Sequence, residues 1–352
     1  MALVIGGQGR HMLVVSPRRS PATPFHSNGN RFAVVVLRLA CMLLILFLPV
    51  MATADPRVLH HRFGHTEISG TPQRVVSLSF IGHDYLLGLG HVPIALRYWY
   101  GNNPSGVWPW ASEYLGDAQP HIITGGIDVE AIALLKPDLI LAQWSGITET
   151  EYHLLSSIAP TLPPPAGASD FSATWQQMTR QVGRALGIEE TAEAQIAQIE
   201  ARFARLRGAY PHWQGRTASA VWPDQIGAYT RADLRGQFLE QLGFVNAPQV
   251  EALAGPTTYN VRLSQEQLDP IDTDLLLWLT VADPKNSLER ITLRRSMRAY
   301  REGREIVADP VLTAALSHSS PLALNYALDR LEPMIEAALD GKPDTTVPGV
   351  PE

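Results

Sequence analysis

The chain has 352 residues, 45% hydrophobic and 18% charged, with a mean hydropathy of −0.02. That excludes a disordered chain and a polytopic membrane protein, and it leaves room for two domains with cores of their own. Basic residues number 28 and acidic ones 34; five arginines (10, 18, 19, 31 and 38) fall in the first 54 residues, which hold no acid, so the remainder carries a net charge of −11. Phosphate binding needs a basic field, so a nucleic-acid partner is excluded.

Arg31 and Arg38 precede or flank an apolar stretch, Leu39 to Val50, which is followed by Ala52-Thr53-Ala54. A basic region, a short apolar core and an A-x-A-like site predict a secretory signal cleaved after Ala54, and the apolar run is shorter than the ~20 residues of a spanning helix. Residues before Arg31 have no apolar period and fit an over-called start, so 1–54 are set apart from the fold. The only cysteine, Cys41, lies in that segment. It follows Leu39-Ala40 as a lipidated cysteine would, but Arg38 stands where an apolar residue belongs and most of the apolar core comes after it, so a free periplasmic form is expected. The exported chain then has no disulfide, thiolate nucleophile or cysteine metal site.

From Arg74 onward short β-rich runs alternate with helical patterns, which predicts α/β architecture with mainly parallel strands. Arg74–Ser79 reads as a buried strand, His83–Leu89 as a helix stopped by Gly90, Val92–Leu96 as a strand, Val129–Leu135 as a helix and Asp138–Ala142 as a strand covered on both faces. Trp175, Met178, Val182 and Leu186 follow helical spacing, with Ser172 as N-cap and Gly187 past the end; Ile196, Ile199, Phe203 and Leu206 continue it. Thr217–Trp222 is then a strand, Gln237–Leu242 a helix closed by Gly243, Asp274–Leu279 and Arg304–Val307 strands, and Leu322–Leu339 a long helix. The layout of Glu130–Leu141, a short helix, Pro-Asp and a strand, is echoed by Gln265–Leu277, as two similar lobes facing across a cleft would produce. The expected organisation is a signal segment over 1–54, an N-terminal lobe over 55–170, an interlobe helix over 171–188, a C-terminal lobe over 189–340 and a tail over 341–352.

The strand Arg74–Leu78, Leu134–Leu141, Ser157–Thr161, Leu242–Phe244, Ser264–Asp269 and Ser319–Leu331 come in the order found in the periplasmic binding proteins for iron-siderophores and vitamin B12, which the chain resembles from about Arg74 to Leu339. Tyr100-Gly101 with Gly106–Trp110 resembles a loop of the siderophore branch. The resemblance implies two Rossmann-like lobes joined by one long helix, limited closure on binding, and delivery of a ferric siderophore to an ABC permease by a monomeric receptor. It also implies a glutamate on each lobe that meets the permease: Glu130 on the first, and on the second, where Val245 stands at the family's position, Glu240 or Glu251 as substitutes.

A ferric chelate already has its iron shell filled, so a receptor offers aromatic faces and a few cations and no direct metal ligands. The candidates lie at strand ends and loops: Arg97, Tyr98, Trp99, Tyr100, Trp108, Trp110 and Trp144 on the first lobe, and Trp222, Arg231, Arg235, Tyr259 and Arg262 on the second. Trp278, inside an apolar run, reads as core. A cobalamin receptor of the same fold suits the aromatic faces as well. A zinc or manganese receptor would need about three histidines and a carboxylate; His60, His61 and His65 read as part of a solvated leader and the other histidines are scattered singly, so no resident metal or cofactor is expected. No G-x-S-x-G, P-loop or H-E-x-x-H occurs, so no enzyme is expected.

Overall fold

The computed structural model describes residues 56–255 and 258–348. The signal segment, Cys41 and the last four residues of the tail lie outside them. No helix among the described residues is long and apolar enough to cross a membrane.

Two sheets form the centres of two lobes. In the first, β3 (Val75–Ser77), β4 (Ala95–Arg97), β5 (His121–Ile123), β6 (Leu139–Leu141) and β7 (Thr161–Leu162) are all parallel, in the order β5-β4-β3-β6-β7. Apolar runs such as Leu139-Ile140-Leu141 are buried throughout because helices cover both faces. In the second, β8 (Thr217–Trp222), β12 (Leu275–Leu279) and β13 (Glu305–Ala308) are parallel. Here β9 (Gly227–Tyr229) and β11 (Asn260–Arg262) extend the sheet antiparallel, while β10 (Val245–Asn246) pairs with the start of β8.

The middle of the chain forms two helices, Trp175–Leu186 and Glu189–Ala209. The first is capped by Thr174, whose hydroxyl accepts from Gln177 N while the Gln177 side chain accepts from Thr174 N. Ser172, the expected cap, instead accepts from Ser169 N (2.8 Å) in the loop before it. Both helices touch both lobes: in the first, Met178 O accepts from Gln143 (3.2 Å) and Trp175 Nε1 donates to Gln241 Oε1 (2.9 Å), while the second is the longer, its 21 residues spanning about 31 Å. Gln195 donates to the Gly88 carbonyl of the first lobe, and Phe203 packs edge-on against Phe238 of the second at 5.5 Å. The expected interlobe segment over 171–188 contains the helix Trp175–Leu186, and the longer helix, 189–209, follows it.

Two further expectations change. His60, His61 and His65 belong to an ordered hairpin of β1 (Arg57–His61) and β2 (Gly64–Ile68); His61 is buried, with Nε2 2.9 Å from Thr66 Oγ1 and 3.3 Å from Tyr152 OH. The echo at 265–277 contains no α-helix: a turn over Ser264–Gln267 leads into a single 3-10 turn, Asp269–Ile271, because Pro270 offers no N–H to continue.

Candidate functional site: an aromatic cleft between the lobes

β3 lies between β4, reached by the chain immediately after it, and β6, reached from the opposite side, so the order reverses at β3 and a crevice opens at the strand ends. Phe80 follows β3, Trp99 and Tyr100 follow β4, and Trp144 follows β6. Trp99 is their hub, with ring centroids 5.8 Å from Phe80, 4.7 Å from Tyr100 and 5.4 Å from Trp144. Phe80 N donates to the Trp144 carbonyl (3.1 Å), tying two of the strand ends together.

The opposite wall is the antiparallel extension of the second sheet. β8 ends in Trp222, the chain turns through Pro223–Gln225 and a left-handed Ile226 (φ 42°), and β9 returns with Tyr229. β11 then places Asn260 opposite Tyr229, with Tyr259 beside it. Phe171 of the first lobe reaches Tyr259 at 5.8 Å. Two chambers result, of about 390 and 240 Å3, sharing Trp99, Trp222, Tyr229 and Arg235; Leu279, Val281, Thr313 and Ser317 close the larger one.

Arg235 is the cleft's one guanidinium among the lining residues. It sits at the start of the helix Leu234–Gln241, six per cent exposed, and donates from Nε and Nη2 to the two carboxylate oxygens of Asp233 (2.6 Å each) and from Nη1 to Ser317 Oγ (3.1 Å). Its guanidinium also lies 3.8 Å from the Tyr229 ring centre. Burial alone would lower its pKa, but the Asp233 carboxylate outweighs burial and raises it, so Arg235 stays cationic against an acid that matches its charge. The adjacent glycine, Gly236, is required because a Cβ there would collide with the Thr230 carbonyl. Burial pushes the Tyr100 phenol up to about 12, so it stays protonated.

Of the candidates read from the sequence, Tyr100, Trp144, Trp222, Tyr259 and Arg235 line the cleft, together with Trp99. Five do not. Arg97 lies behind the wall: its guanidinium packs 4.1 Å from the Phe80 ring centre and donates to the Gly125 and Ser145 carbonyls. Tyr98 accepts from Asn102 N (2.9 Å). Trp108 is buried and stacks on Trp110 at 5.6 Å, beneath Gly101, whose φ of +106° and contact with the indole leave no room for a Cβ. Arg231 pairs with Glu240 (2.9 Å) and Glu251 (3.8 Å) on the outer surface, and Arg262 is exposed on β11. Glu130 is exposed in the first turn of Val129–Leu134, capped by Asp128, away from the cleft-lining residues. The sequence reading missed Phe80, Phe171 and Tyr229. Phe80 had a signal, since it is three residues beyond a strand that ends at a sheet's centre; Tyr229 had none, because the short return strand is indistinguishable from a loop.

Behind Trp99 lies a buried polar group. His83 and Asp84, on the helix Gly82–Gly88, meet His318 at the end of the helix Pro310–His318. The His318 ring is 5.8 Å from both Trp99 and His83. Burial holds the His83 and His318 imidazoles down to about 4 and pushes the Asp84 carboxyl up. Histidines read from sequence as scattered singly are thus brought together with a carboxylate from the two ends of the fold.

Two parallel-sheet lobes joined through the helical middle of the chain, with strand ends of both facing an aromatic cleft, define a two-lobed solute-binding protein. The chain belongs to the periplasmic binding protein family, whose model matches residues 75–312. It is 32% identical to a periplasmic solute binding protein from Mycobacterium smegmatis str. MC2 155, with a TM-score of 0.71 over 81% of this chain and 99% of that one. The PiaA protein of Streptococcus pneumoniae TIGR4 in complex with ferrichrome is 25% identical, with a TM-score of 0.68 over 81% and 99% of the two chains. The probable siderophore-binding lipoprotein YfiY of Bacillus subtilis (strain 168) is 27% identical over 302 residues, 80% of this chain and 88% of its own.

Proposed function

We propose that this chain is an exported receptor that captures a ferric siderophore of low net charge in the interlobe cleft and delivers it, chemically unchanged, to the permease of an ABC importer. The carrying observation is the charge of the cleft: its single guanidinium is already matched by Asp233, and every other lining side chain is neutral. A ferric citrate or tris-catecholate complex bears several negative charges, and burying them against a neutral wall costs several kcal/mol of lost hydration. A ferric hydroxamate is close to neutral, because the hydroxamate charges cancel the iron. It offers flat and apolar surface to Trp99, Tyr100, Trp222 and Tyr229, and its oxygens can accept from whichever donors of Arg235 and Tyr100 turn towards them.

The relatives support the transport role: one is a probable siderophore-binding lipoprotein, and another has been crystallised with ferrichrome. The basic, apolar and small-residue order over 31–54 supports export to the periplasm. Glu130 on one lobe, and Glu240 or Glu251 on the other, are the acids for permease docking, with the receptor acting as a monomer. Tryptophan fluorescence tests the reading, because Trp99, Trp144 and Trp222 line the cleft. Ferrichrome should quench saturably, and ferric enterobactin and ferric citrate should bind at least about tenfold more weakly, a difference of ~1.4 kcal/mol. Preference for an anionic chelate would overturn the charge argument, and binding of cobalamin alone would replace the cargo.

A further inference from the structure

We infer that His83, Asp84 and His318 form a binding site for a divalent cation of the zinc type, which clips the first-lobe helix Gly82–Gly88 to the second-lobe turn at 318–320 and is separate from the cargo in the cleft. The three side chains are 2%, 0% and 1% exposed, and one ligand atom from each lies within 4.8 Å of the others. His318 and Asp84 are each oriented by a second contact that leaves one atom free. His318 Nδ1 donates to the Ala314 carbonyl (2.9 Å), which puts the lone pair on Nε2. Asp84 Oδ2 accepts from Trp110 Nε1 (2.6 Å) and Ser320 Oγ (3.0 Å), leaving buried Oδ1 without a partner. Both ring nitrogens of His83 are buried and unpartnered, and Nε2 is 3.8 Å from Asp84 Oδ1.

Buried polar atoms without partners are rare, and an imidazole, an imidazole and a carboxylate together supply more acceptors than donors. A cation satisfies all three at once, whereas one water can donate to only two. Two histidines and an aspartate, with a fourth position open, are a ligand set that zinc takes. Zinc bonds of about 2.0–2.2 Å place tetrahedral ligand atoms roughly 3.3–3.6 Å apart, so no pair has to close by more than about 1.5 Å. The ion would join parts of the chain that Tyr85 already links, through its hydroxyl donated to the His318 and Ser319 carbonyls.

The test uses the full chain stripped with a chelator, without siderophore, then equilibrated with zinc and freed of excess metal. The variants are His83→Gln, His318→Gln and, as a surface control, His60→Ala/His65→Ala, since that exposed cross-strand pair has rings 6.1 Å apart. One zinc per chain is expected in the wild type and in the control. The affinity should fall more than about 100-fold in each glutamine variant, beyond the loss of an outer-shell partner. Zinc should also raise the melting temperature of the wild type and not that of the glutamine variants. Should the glutamine variants fail to fold, the visible absorption of cobalt-loaded wild type decides: the intense bands of a four-coordinate ion support the site, and the weak spectrum of the aquo ion overturns it. Zinc absent from the wild type, retained in both glutamine variants, or lost only with His60 and His65 would equally overturn the inference.

Discussion

Asp233→Asn isolates the charge balance of the cleft with almost no change of shape. The asparagine keeps an oxygen to accept from Arg235 N, as Asp233 does at 2.8 Å, so the helix cap survives. It leaves the guanidinium, six per cent exposed, without its counter-charge. Removing one partner of a buried ion pair costs about 3–5 kcal/mol, and the retained cap and the Ser317 and Tyr229 contacts place this case near 3. For a chain of this size that lowers the melting temperature by roughly 6 °C. The same change gives the cleft one uncompensated positive charge. At about 5 Å and an effective dielectric constant of about 20, a unit charge gains about 3 kcal/mol. Allowing for screening by the open cleft, ferric enterobactin should gain ~2 kcal/mol, or roughly 30-fold in affinity, relative to ferrichrome. Fluorescence titration of both chelates against wild type and variant measures the ratio. An unchanged preference in a folded, destabilised variant would show that Arg235 does not face the ligand.

The remaining expectations are independent of that pair. Trp222→Ala and Tyr229→Ala should each weaken ferrichrome by about 1–2 kcal/mol, read by calorimetry, whereas Trp108→Ala should act on thermal stability through lost packing. Glu130→Ala should abolish uptake by whole cells while ligand affinity stays within about threefold, because the side chain is exposed and away from the cleft. Burial holds His61, His83 and His318 down to about 4, against 6.5 for an unburied imidazole. In zinc-free protein, the unfolded chain takes up protons below pH 6.5 that the folded chain refuses. Stability is then complete above about pH 7 and is lost as pH falls from 6.5 towards 4, which urea midpoints across that range will show. A midpoint that stays flat to pH 4.5 would contradict the buried, neutral state of these rings.

The sequence exposed the parts of the fold that local pattern determines. Thr217–Trp222 is a strand with the expected bounds, and Leu275–Leu279 and Leu139–Leu141 fall inside expected apolar runs, because strands covered on both faces are continuously apolar. Strand-end logic found Tyr100, Trp144 and Trp222 for the same reason: a residue just past a parallel strand faces the crevice whatever follows. What stayed hidden depends on pairings between distant segments. Tyr229 reaches the cleft only because β9 turns back antiparallel on β8, and Arg235 owes its neutral setting to a neighbour that reads as an ordinary N-cap. Arg97 and Arg231 had the right residue type in the right region, but one braces Phe80 from behind and the other bridges two surface glutamates. His83 and His318 look solitary in sequence, and only the return of the chain at 318–320 onto the first lobe joins them.

Native mass spectrometry of the protein purified from its own cells under iron limitation tests the central claim most directly. A one-to-one complex is expected, containing one iron and a chelator whose ferric form is neutral or singly charged, with lower occupancy in Trp222→Ala. A co-purifying ferric citrate, tris-catecholate or cobalamin would contradict it.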